Sequence, residues 1–329
     1  MFSDQNSTSV KIVSFASQNP ERQSELSGAL HAIDAGIELK FAANEQEACE
    51  LVEDADVLLV HKFTENLFLA AKRLRWVQIT GAGVERSLFK DFVDSEITLT
   101  NSRGLHARPM AEWTLAALLY WAQDFASADK WRHDHEWKPR KKVMTENRVM
   151  LEGLNVLIVG FGEVGRGIAE LLKSFGMFVE GVATHAREEI VSVYAMEQLE
   201  ERLQEADVVV LTLPLTPTTR GLFNRRIFPL LKPGSVLVNV GRGALIDETD
   251  LIAALKAGKP AFAILDVFTE EPLPPDSKLY DVPNIFMTPH VSGNFPDYTK
   301  RYHEIFAENV ARFRDGLPLR FVVDKKRGY

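Results

Sequence analysis

Apolar residues along the chain fall into short compact runs that are separated by longer segments of mixed polarity. Compact apolar runs predict strands buried on both faces, and apolar positions at helical spacing predict helices. The runs that predict strands lie at 10–15, 55–60, 74–79, 97–100, 154–160, 178–183, 206–213, 235–240 and 262–267. Helical segments lie at 45–54, 110–125, 163–176, 248–257 and 300–314. Strands that alternate with helices predict an α/β fold with parallel sheets covered on both faces.

Two segments depart from this alternation. Residues 110–125 form a long helix that is apolar on most sides, which predicts burial between layers or in a subunit interface. The stretch 126–153 is polar, contains Trp131, Trp137 and many Lys and Arg residues, and shows little periodicity. It predicts either a linker or an arm that reaches a partner subunit.

Length and composition limit the class of protein. The 329 residues correspond to about two domains, and a net charge of −8 argues against a nucleic-acid partner. The single cysteine, Cys49, fits a reducing compartment, and the N-terminal residues lack the pattern of a signal peptide. The most apolar stretch, 113–122, is about half of the roughly 20 residues that a membrane span needs. We therefore predict a cytoplasmic protein without a membrane partner.

The strongest local signal is the segment Gly160-Phe161-Gly162-Glu163-Val164-Gly165. It follows a predicted strand and opens a predicted helix, which is the context of a dinucleotide-binding turn. Gly160 permits the tight turn, Gly162 lets the backbone approach a pyrophosphate, and Gly165 allows the helix to pack closely on the strand. The alternative, a strand–turn–helix with purely structural glycines, is disfavoured by this context.

The end of the next strand bears on which dinucleotide binds. A carboxylate there commonly binds the ribose of NAD, but the strand 178–183 ends in Ala183. Thr184, His185 and Arg187 follow and supply hydrogen-bond donors and a positive charge that suit a 2′-phosphate. We therefore expect NADPH to be used at least as well as NADH, unless Arg187 is only a solvated loop charge.

Three reactive side chains follow strands in the C-terminal half, namely Arg242, Glu271 and His290. Ligands of open α/β sheets bind outside the carboxyl ends of strands. An arginine holds a carboxylate through two parallel hydrogen bonds, and a histidine exchanges protons near neutral pH. A neighbouring glutamate can orient that histidine and favour its protonated form. The three side chains together indicate acid–base chemistry on a carboxylate substrate.

These segments, taken in order, resemble the D-isomer-specific 2-hydroxyacid dehydrogenase family. The matching segments are VGFGEVG, NVGRGALIDETDLIAALKAG, AILDVFTEEPL and NIFMTPHVSG, preceded by RLRWVQITGAGVERSLF and TLTNSRGLHARPMAEWTLAALL. The ending PLRFVVDKKRGY is similar to a subgroup of glyoxylate/hydroxypyruvate reductase-like members. Several ordered motifs at suitable spacing are more specific than any one of them.

The resemblance implies a role for each matching residue. Arg242 matches the arginine that binds the substrate carboxylate, and the backbone amides of Ala82 and Gly83 match those that cap it. His290 matches the catalytic histidine, and Glu271 matches the glutamate that pairs with it.

The resemblance also implies cofactor contacts outside the glycine-rich turn. They fall on Leu213, Pro214, Thr219, Val240, Gly241, Asp266, His290 and Gly293. Asp266 matches the aspartate that holds the nicotinamide carboxamide. Two positions depart from the family pattern: Ala183 stands where many NAD-using members have aspartate, and Ala107 stands where threonine is frequent.

Three other histidines are candidates for a functional role. His106 lies between a predicted strand and the long apolar helix, so we expect either a role in the substrate pocket or a hydrogen-bonded loop histidine. His133 and His135 flank Asp134 in the polar stretch, where a solvated loop is favoured over a metal site because no third ligand is near. We predict no metal.

The resemblance implies two doubly wound parallel-sheet domains. A flavodoxin-like substrate-binding domain takes residues 1–106, with the C-terminal helix and tail at 294–329 returning to it. A Rossmann domain that binds NAD or NADP takes residues 107–293. In this family the apolar helix lies at a two-fold interface, so a homodimer is expected.

The implied reaction is hydride transfer between NAD(P)H and a small 2-oxo acid such as glyoxylate or hydroxypyruvate. The alternative is a non-catalytic NAD(P)-binding regulatory protein of the same fold, against which the intact set of reactive side chains argues. A third possibility, an enzyme of related fold that acts on formate or phosphite, requires a pocket too small for an alkyl group.

Overall fold

A computed structural model describes residues 9–137 and 148–328 of the chain. Two compact units are found in it. The first comprises Met1–Leu105 and Phe295–Tyr329, and the second comprises His106–Asn294. The predicted domain boundaries differ from these limits by one residue at each crossing.

Parallel strands and helices alternate along the described chain. The strands are β1 (Lys11–Phe15), β2 (Glu38–Phe41), β3 (Val57–Val60), β4 (Trp76–Ile79), β5 (Thr98–Thr100), β6 (Asn155–Val159), β7 (Phe178–Ala183), β8 (Arg187–Glu188), β9 (Ser192–Ala195), β10 (Val208–Leu211), β11 (Val236–Asn239), β12 (Phe262–Leu265) and β13 (Ile285–Met287). The helices are α1 (Pro20–His31), α2 (Glu45–Val52), α3 (Glu65–Ala70), α4 (Lys90–Val93), α5 (Ala107–Ala122), α6 (Phe125–His133), α7 (Glu163–Ser174), α8 (Leu199–Leu203), α9 (Glu248–Lys256) and α10 (Tyr298–Arg314).

The first unit is built on a parallel sheet with the strand order β2-β1-β3-β4-β5. This is the order of flavodoxin-like folds. All four residues of β3 are buried, as are all four of β4, because helices cover both faces of a parallel sheet. The carboxyl end of β4 leads directly into the turn that contains Ala82 and Gly83.

The second unit is built on a larger sheet with the strand order β13-β12-β11-β10-β6-β7-β9-β8. Every pair is parallel except β8 with β9. The order reverses between β6 and β10, which makes this the switch point where a doubly wound sheet binds its ligand. The turns after β6, β10, β11, β12 and β13 therefore reach the same edge of the sheet and carry the candidate residues there.

The stretch after the long apolar helix differs from its prediction. Helix α5 ends at Ala122, and Asp124 adopts a left-handed backbone with φ 52° that separates it from α6. Helix α6 was not expected, because it buries none of its residues and therefore shows no apolar periodicity. The rest of the predicted arm includes residues 138–147, which lie outside the described part of the chain.

Several further elements were not predicted, and β2, β9 and α1 show why. Strand β2 has two exposed residues at a sheet edge, and strand β9 is short and mostly half-buried. Helix α1 buries only Leu26 and Leu30, too few for a periodic signal. Among the described residues, the helices are all too short or too polar to traverse a bilayer.

Candidate active site

His290 and Glu271 form a hydrogen-bonded pair in the second unit. Glu271 follows β12 and His290 follows β13, so neighbouring parallel strands bring the two side chains to the same edge. The His290 Nδ1 donates to Glu271 Oε2 over 2.7 Å. Because a carboxylate only accepts, this bond assigns the proton of the pair to Nδ1. The Nε2 atom is the ring atom on the opposite side from Glu271.

The Glu271 carboxylate is held in its ionised form. Burial raises the pKa of Glu271, but hydrogen bonds from His290 and from the Phe268 amide lower it, as do the charges of His290 and Arg242. The balance leaves the pKa of Glu271 below its ordinary value. An ionised carboxylate that accepts from Nδ1 orients the imidazole.

Arg242 lies beyond the end of β11 on a backbone fixed by its neighbours. The buried Asn239 side chain donates to the Arg242 carbonyl over 3.0 Å and accepts from the Gly241 N–H over 3.0 Å. Gly243 permits the close approach of two strand ends, because a Cβ there would lie 1.8 Å from the carbonyl carbon of Phe268. The charge of Arg242 acts on both Glu271 and His106.

The turn between β6 and α7 contains three glycines, and the surroundings of Gly162 differ from those of Gly160 and Gly165. Gly160 has φ 103°, and a Cβ on it would lie 2.7 Å from the Leu213 nitrogen. A Cβ on Gly165 would lie 2.4 Å from the Gly160 carbonyl oxygen. Packing within the protein therefore requires both. A Cβ on Gly162 would contact nothing within 4 Å among the described residues, so none of these neighbours explains that glycine.

The space beside Gly162 fits the pyrophosphate of a dinucleotide. The Arg166 N–H makes a helical bond to the Gly162 carbonyl over 2.9 Å. The earlier N–H groups, those of Glu163, Val164 and Gly165, precede the first full helical turn and face the space in front of α7. Unpaired N–H groups at a helix start favour phosphate charge. The donors and the open space therefore suit NAD or NADP.

The ends of β6, β10 and β11 pack against one another by their backbones. A Cβ on Gly241 would lie 3.0 Å from the Leu213 carbonyl oxygen, and Leu213 in turn lies against Gly160. The Thr219 hydroxyl donates to the Pro214 carbonyl over 2.7 Å and thereby closes the loop after β10. The predicted contacts Leu213 and Val240 are buried at this edge.

Arg187 lies against the glycine-rich turn. Its Nη2 donates to the Phe161 carbonyl over 2.6 Å, and its Nε pairs with Glu189. Glu189 also lies 3.6 Å from the Nη1 of Arg166. Arg187 is therefore held beside the turn rather than extended into solvent, and part of its charge is balanced by Glu189. Its side chain is 38% exposed.

Ala183 ends β7 without a carboxylate, as the sequence shows. Thr184 and His185 follow it and are exposed. The Arg187 Nη1 donates to the His185 carbonyl over 3.3 Å. The residues of this segment therefore form a polar rim with hydrogen-bond donors and one arginine.

In the first unit, the turn 80–83 is held by its carbonyl groups. The Tyr298 hydroxyl donates to the Thr80 carbonyl over 2.8 Å, and the Ser102 N–H donates to the Gly81 carbonyl over 2.9 Å. Burial raises the pKa of Tyr298 to about 12, so its hydroxyl remains a donor at neutral pH.

A third carbonyl of the turn is held in the same way, because the Asn101 side chain donates to the Ala82 carbonyl over 2.6 Å. In a planar trans peptide the N–H points away from the carbonyl of the same unit. The N–H groups of Gly81, Ala82 and Gly83 therefore face away from these donors, and none of them is paired within the described residues. Successive unpaired N–H groups form an anion-binding concavity, as the capping of a carboxylate requires.

His106 precedes α5 and contacts the segment that carries His290. Its Nδ1 donates to the Gly293 carbonyl over 3.2 Å, and a Cβ on Gly293 would lie 2.8 Å from that nitrogen. Burial lowers the pKa of His106, the bond to Gly293 opposes that effect, and the charges of Arg242 and His290 lower it further. His106 is therefore a neutral imidazole within the electrostatic influence of Arg242 and His290.

Asp266 directly follows β12 and is completely buried. Its carboxylate accepts hydrogen bonds from the segment 288–292, which carries His290. Among the described residues, no group of three Asp, Glu, His or Cys side chains could hold a metal ion. His133 and His135 are exposed near the end of α6.

Several residues that shape the site escaped the sequence analysis. Asn239 had a signal, since it is the one polar residue of an otherwise apolar strand, and buried polar residues must be hydrogen-bonded. Asn101 and Tyr298 had none, because their partners are distant in sequence or are backbone atoms.

Comparison with known proteins identifies the family. Residues 115–292 match the family model of the D-isomer specific 2-hydroxyacid dehydrogenase NAD binding domain. The chain is 32% identical to a glyoxylate reductase of Pyrococcus furiosus over 82% of this chain and 83% of the relative. It is 30% identical to a D-3-phosphoglycerate dehydrogenase of Methanocaldococcus jannaschii over 85% of this chain, but it spans only 54% of that relative's length.

A solved structure agrees with these sequence matches. The NADPH-dependent glyoxylate/hydroxypyruvate reductase of Sinorhizobium meliloti, in complex with NADP and sulfate, is 30% identical and superposes with a TM-score of 0.83. The match covers 97% of this chain and 100% of that one. The chain therefore belongs to the D-isomer specific 2-hydroxyacid dehydrogenase family of NAD(P)-dependent oxidoreductases.

Proposed function

We propose that the protein reduces a small 2-oxo acid, such as glyoxylate or hydroxypyruvate, to the D-2-hydroxy acid with NADPH or NADH. The observation that carries the proposal is the His290–Glu271 pair at 2.7 Å, on the same sheet edge as Arg242 and the open Gly162 turn. A proton donor, a carboxylate ligand and a dinucleotide turn are the groups that this reaction needs.

Substrate binding rests on the carboxylate. Arg242 supplies a planar fork for two carboxylate oxygens. The N–H groups of Ala82 and Gly83 supply neutral donors in the first unit, on a turn that Tyr298 and Asn101 hold open. His106 is proposed to line the substrate pocket as a neutral imidazole.

The chemical step is shared between cofactor and protein. When bound, the nicotinamide supplies the hydride for the oxo carbon. His290 donates the proton that the oxo oxygen needs, and Glu271 keeps the imidazole oriented for this purpose. In the reverse direction the same imidazole removes the hydroxyl proton.

Cofactor choice is proposed to favour NADPH. Ala183 has no carboxylate that would repel a 2′-phosphate, and Arg187, on the segment that follows β7, supplies a positive charge for that phosphate. The S. meliloti relative is described as NADPH-dependent and was solved with NADP, which supports the same choice here.

A panel of 2-oxo acids assayed with both cofactors tests the proposal. We expect turnover of glyoxylate or hydroxypyruvate that depends on the added nicotinamide cofactor, with the D-isomer formed where the product is chiral. The alternative, a non-catalytic NAD(P)-binding regulator, predicts cofactor binding by calorimetry without turnover of any member of the panel.

We also propose a cytoplasmic homodimer. Three large apolar side chains near α6 and after it are exposed: Phe125, Trp137 and Met150, with Trp137 at 97%. We propose that these side chains belong to one subunit contact, because contiguous exposed apolar surface marks interaction sites. Light scattering at micromolar concentration is expected to give twice the chain mass of 37.0 kDa, and a monomeric mass would contradict the proposal.

A further inference from the structure

The turn that carries His290 has an unusual backbone. His290 adopts φ 55°, in the left-handed region that non-glycine residues rarely occupy. Such conformations persist only when the surrounding structure imposes them. The groups that impose this one on His290 therefore set the position of its ring.

Asp266 supplies most of these restraints. Its Oδ1 accepts one hydrogen bond from the Thr288 hydroxyl and a second, of 2.9 Å, from the Val291 N–H. Its Oδ2 accepts a hydrogen bond of 2.9 Å from the Ser292 N–H. Its carbonyl oxygen accepts from the His290 N–H over 2.8 Å. The residues before and after His290 are thus tied to one carboxylate, with His290 at the bend between them.

The environment of Asp266 indicates what this carboxylate does. It is fully buried, and among the described residues no lysine, arginine or histidine pairs with it. A buried carboxylate without a cation is costly unless hydrogen bonds replace its hydration. The donors from Thr288, Val291 and Ser292 occupy three of the roughly four acceptor sites of the carboxylate.

We infer that Asp266 is a positioning residue whose carboxylate holds the 288–292 turn, and through it the His290 ring, in the geometry that proton transfer needs. This inference rests on the proposed function, because it concerns how the proposed proton donor is placed. It differs from the role that the family resemblance implies, in which Asp266 serves mainly to hold the nicotinamide carboxamide.

The substitution Asp266→Asn tests the difference. Asparagine has nearly the same shape, but its amide group turns a donor toward at least one of the N–H groups of Val291 and Ser292. The turn then loses a restraint while the fold around β12 keeps its packing. Thr288→Val is the second variant, because it removes one donor and leaves the carboxylate in place.

Two readouts distinguish the roles. For positioning, Asp266→Asn lowers kcat by about tenfold to a hundredfold, the range expected for a misplaced catalytic group, and Thr288→Val lowers it less. The dissociation constants of NADPH and of 2′-phospho-ADP-ribose, which lacks nicotinamide, both stay within about twofold of the parent. Weaker binding of NADPH alone by the Asp266→Asn variant, or an unchanged kcat in that variant, would overturn the inference.

A spectroscopic readout does not require turnover. In protein labelled with ¹⁵N-histidine, the Nδ1 proton of His290 that is bonded to Glu271 gives a downfield NMR resonance. Its loss or displacement in both variants, but not in the exposed-site control His133→Gln, supports positioning. An unmoved resonance would contradict it, whether or not the parent reduces 2-oxo acids.

Discussion

Replacing Arg187 with alanine should reduce the use of NADPH and leave the use of NADH nearly unchanged. A hydrogen bond to a charged group contributes about 1.5–3 kcal/mol. The Arg187 side chain is 38% exposed and shares its charge with Glu189, so solvent and the neighbouring carboxylate reduce this value. We therefore take about 1.4 kcal/mol as the contribution of Arg187 to the use of NADPH, and its loss corresponds to a tenfold lower kcat/KM.

The assay measures kcat/KM for both cofactors at one fixed concentration of hydroxypyruvate. Two variants on the same segment act as matched comparisons. Glu189→Gln removes the charge that balances Arg187 and Arg166 and should raise the NADPH to NADH ratio. Ala183→Asp places a carboxylate at the end of β7 and should lower it, because the carboxylate repels a 2′-phosphate.

Either of two results would contradict the predicted preference for NADPH. A parent that prefers NADH by about tenfold or more would show that the missing carboxylate does not decide cofactor choice. An Arg187→Ala variant with an unchanged ratio would show that the guanidinium beside Phe161 does not contact the phosphate.

Three other substitutions probe the site. Glu271→Gln should lower kcat, because a neutral amide makes a weaker hydrogen bond to the His290 Nδ1 than a carboxylate does and orients the ring less firmly; steady-state kinetics at saturating NADPH check this, and a kcat within about twofold of the parent would count against the pairing. Arg242→Lys should lower kcat/KM by at least about tenfold at saturating cofactor, since a point charge cannot replace the planar fork; a value within about twofold of the parent would remove Arg242 from carboxylate binding. Tyr298→Phe should raise the KM of the 2-oxo acid by about fivefold, the loss of one hydrogen bond, with kcat little changed; an unchanged KM would show that the turn 80–83 does not need the tyrosine hydroxyl.

The central strands, and the position of Arg242, Glu271 and His290 after strands, were predictable from the sequence because their signals are local. Strands β6, β10 and β11 are continuous apolar runs buried on both faces, and a glycine-rich turn follows the first of them. Strand β2 and helix α1 gave weak signals, since edge strands and solvent-facing helices bury few residues.

The detailed geometry of the site was not predictable, because its contacts join residues far apart in sequence. The Tyr298 hydroxyl meets the Thr80 carbonyl across 218 positions. The three donors to Asp266 lie 22 to 26 residues after it and are mostly backbone groups that no residue type reveals. The pattern around β12 and β13 shows an aspartate and a histidine, but only the folded turn shows that one holds the other.

The proposed mechanism depends on His290 as the proton donor, and one measurement tests this role directly. Hydroxypyruvate reduction is followed at saturating NADPH in the parent and in His290→Ala, with NADPH binding measured separately by calorimetry. We expect kcat to fall by about 10²–10⁴-fold, the contribution of a general acid, with the NADPH dissociation constant little changed. A His290→Ala enzyme that retains the kcat of the parent would contradict the mechanism.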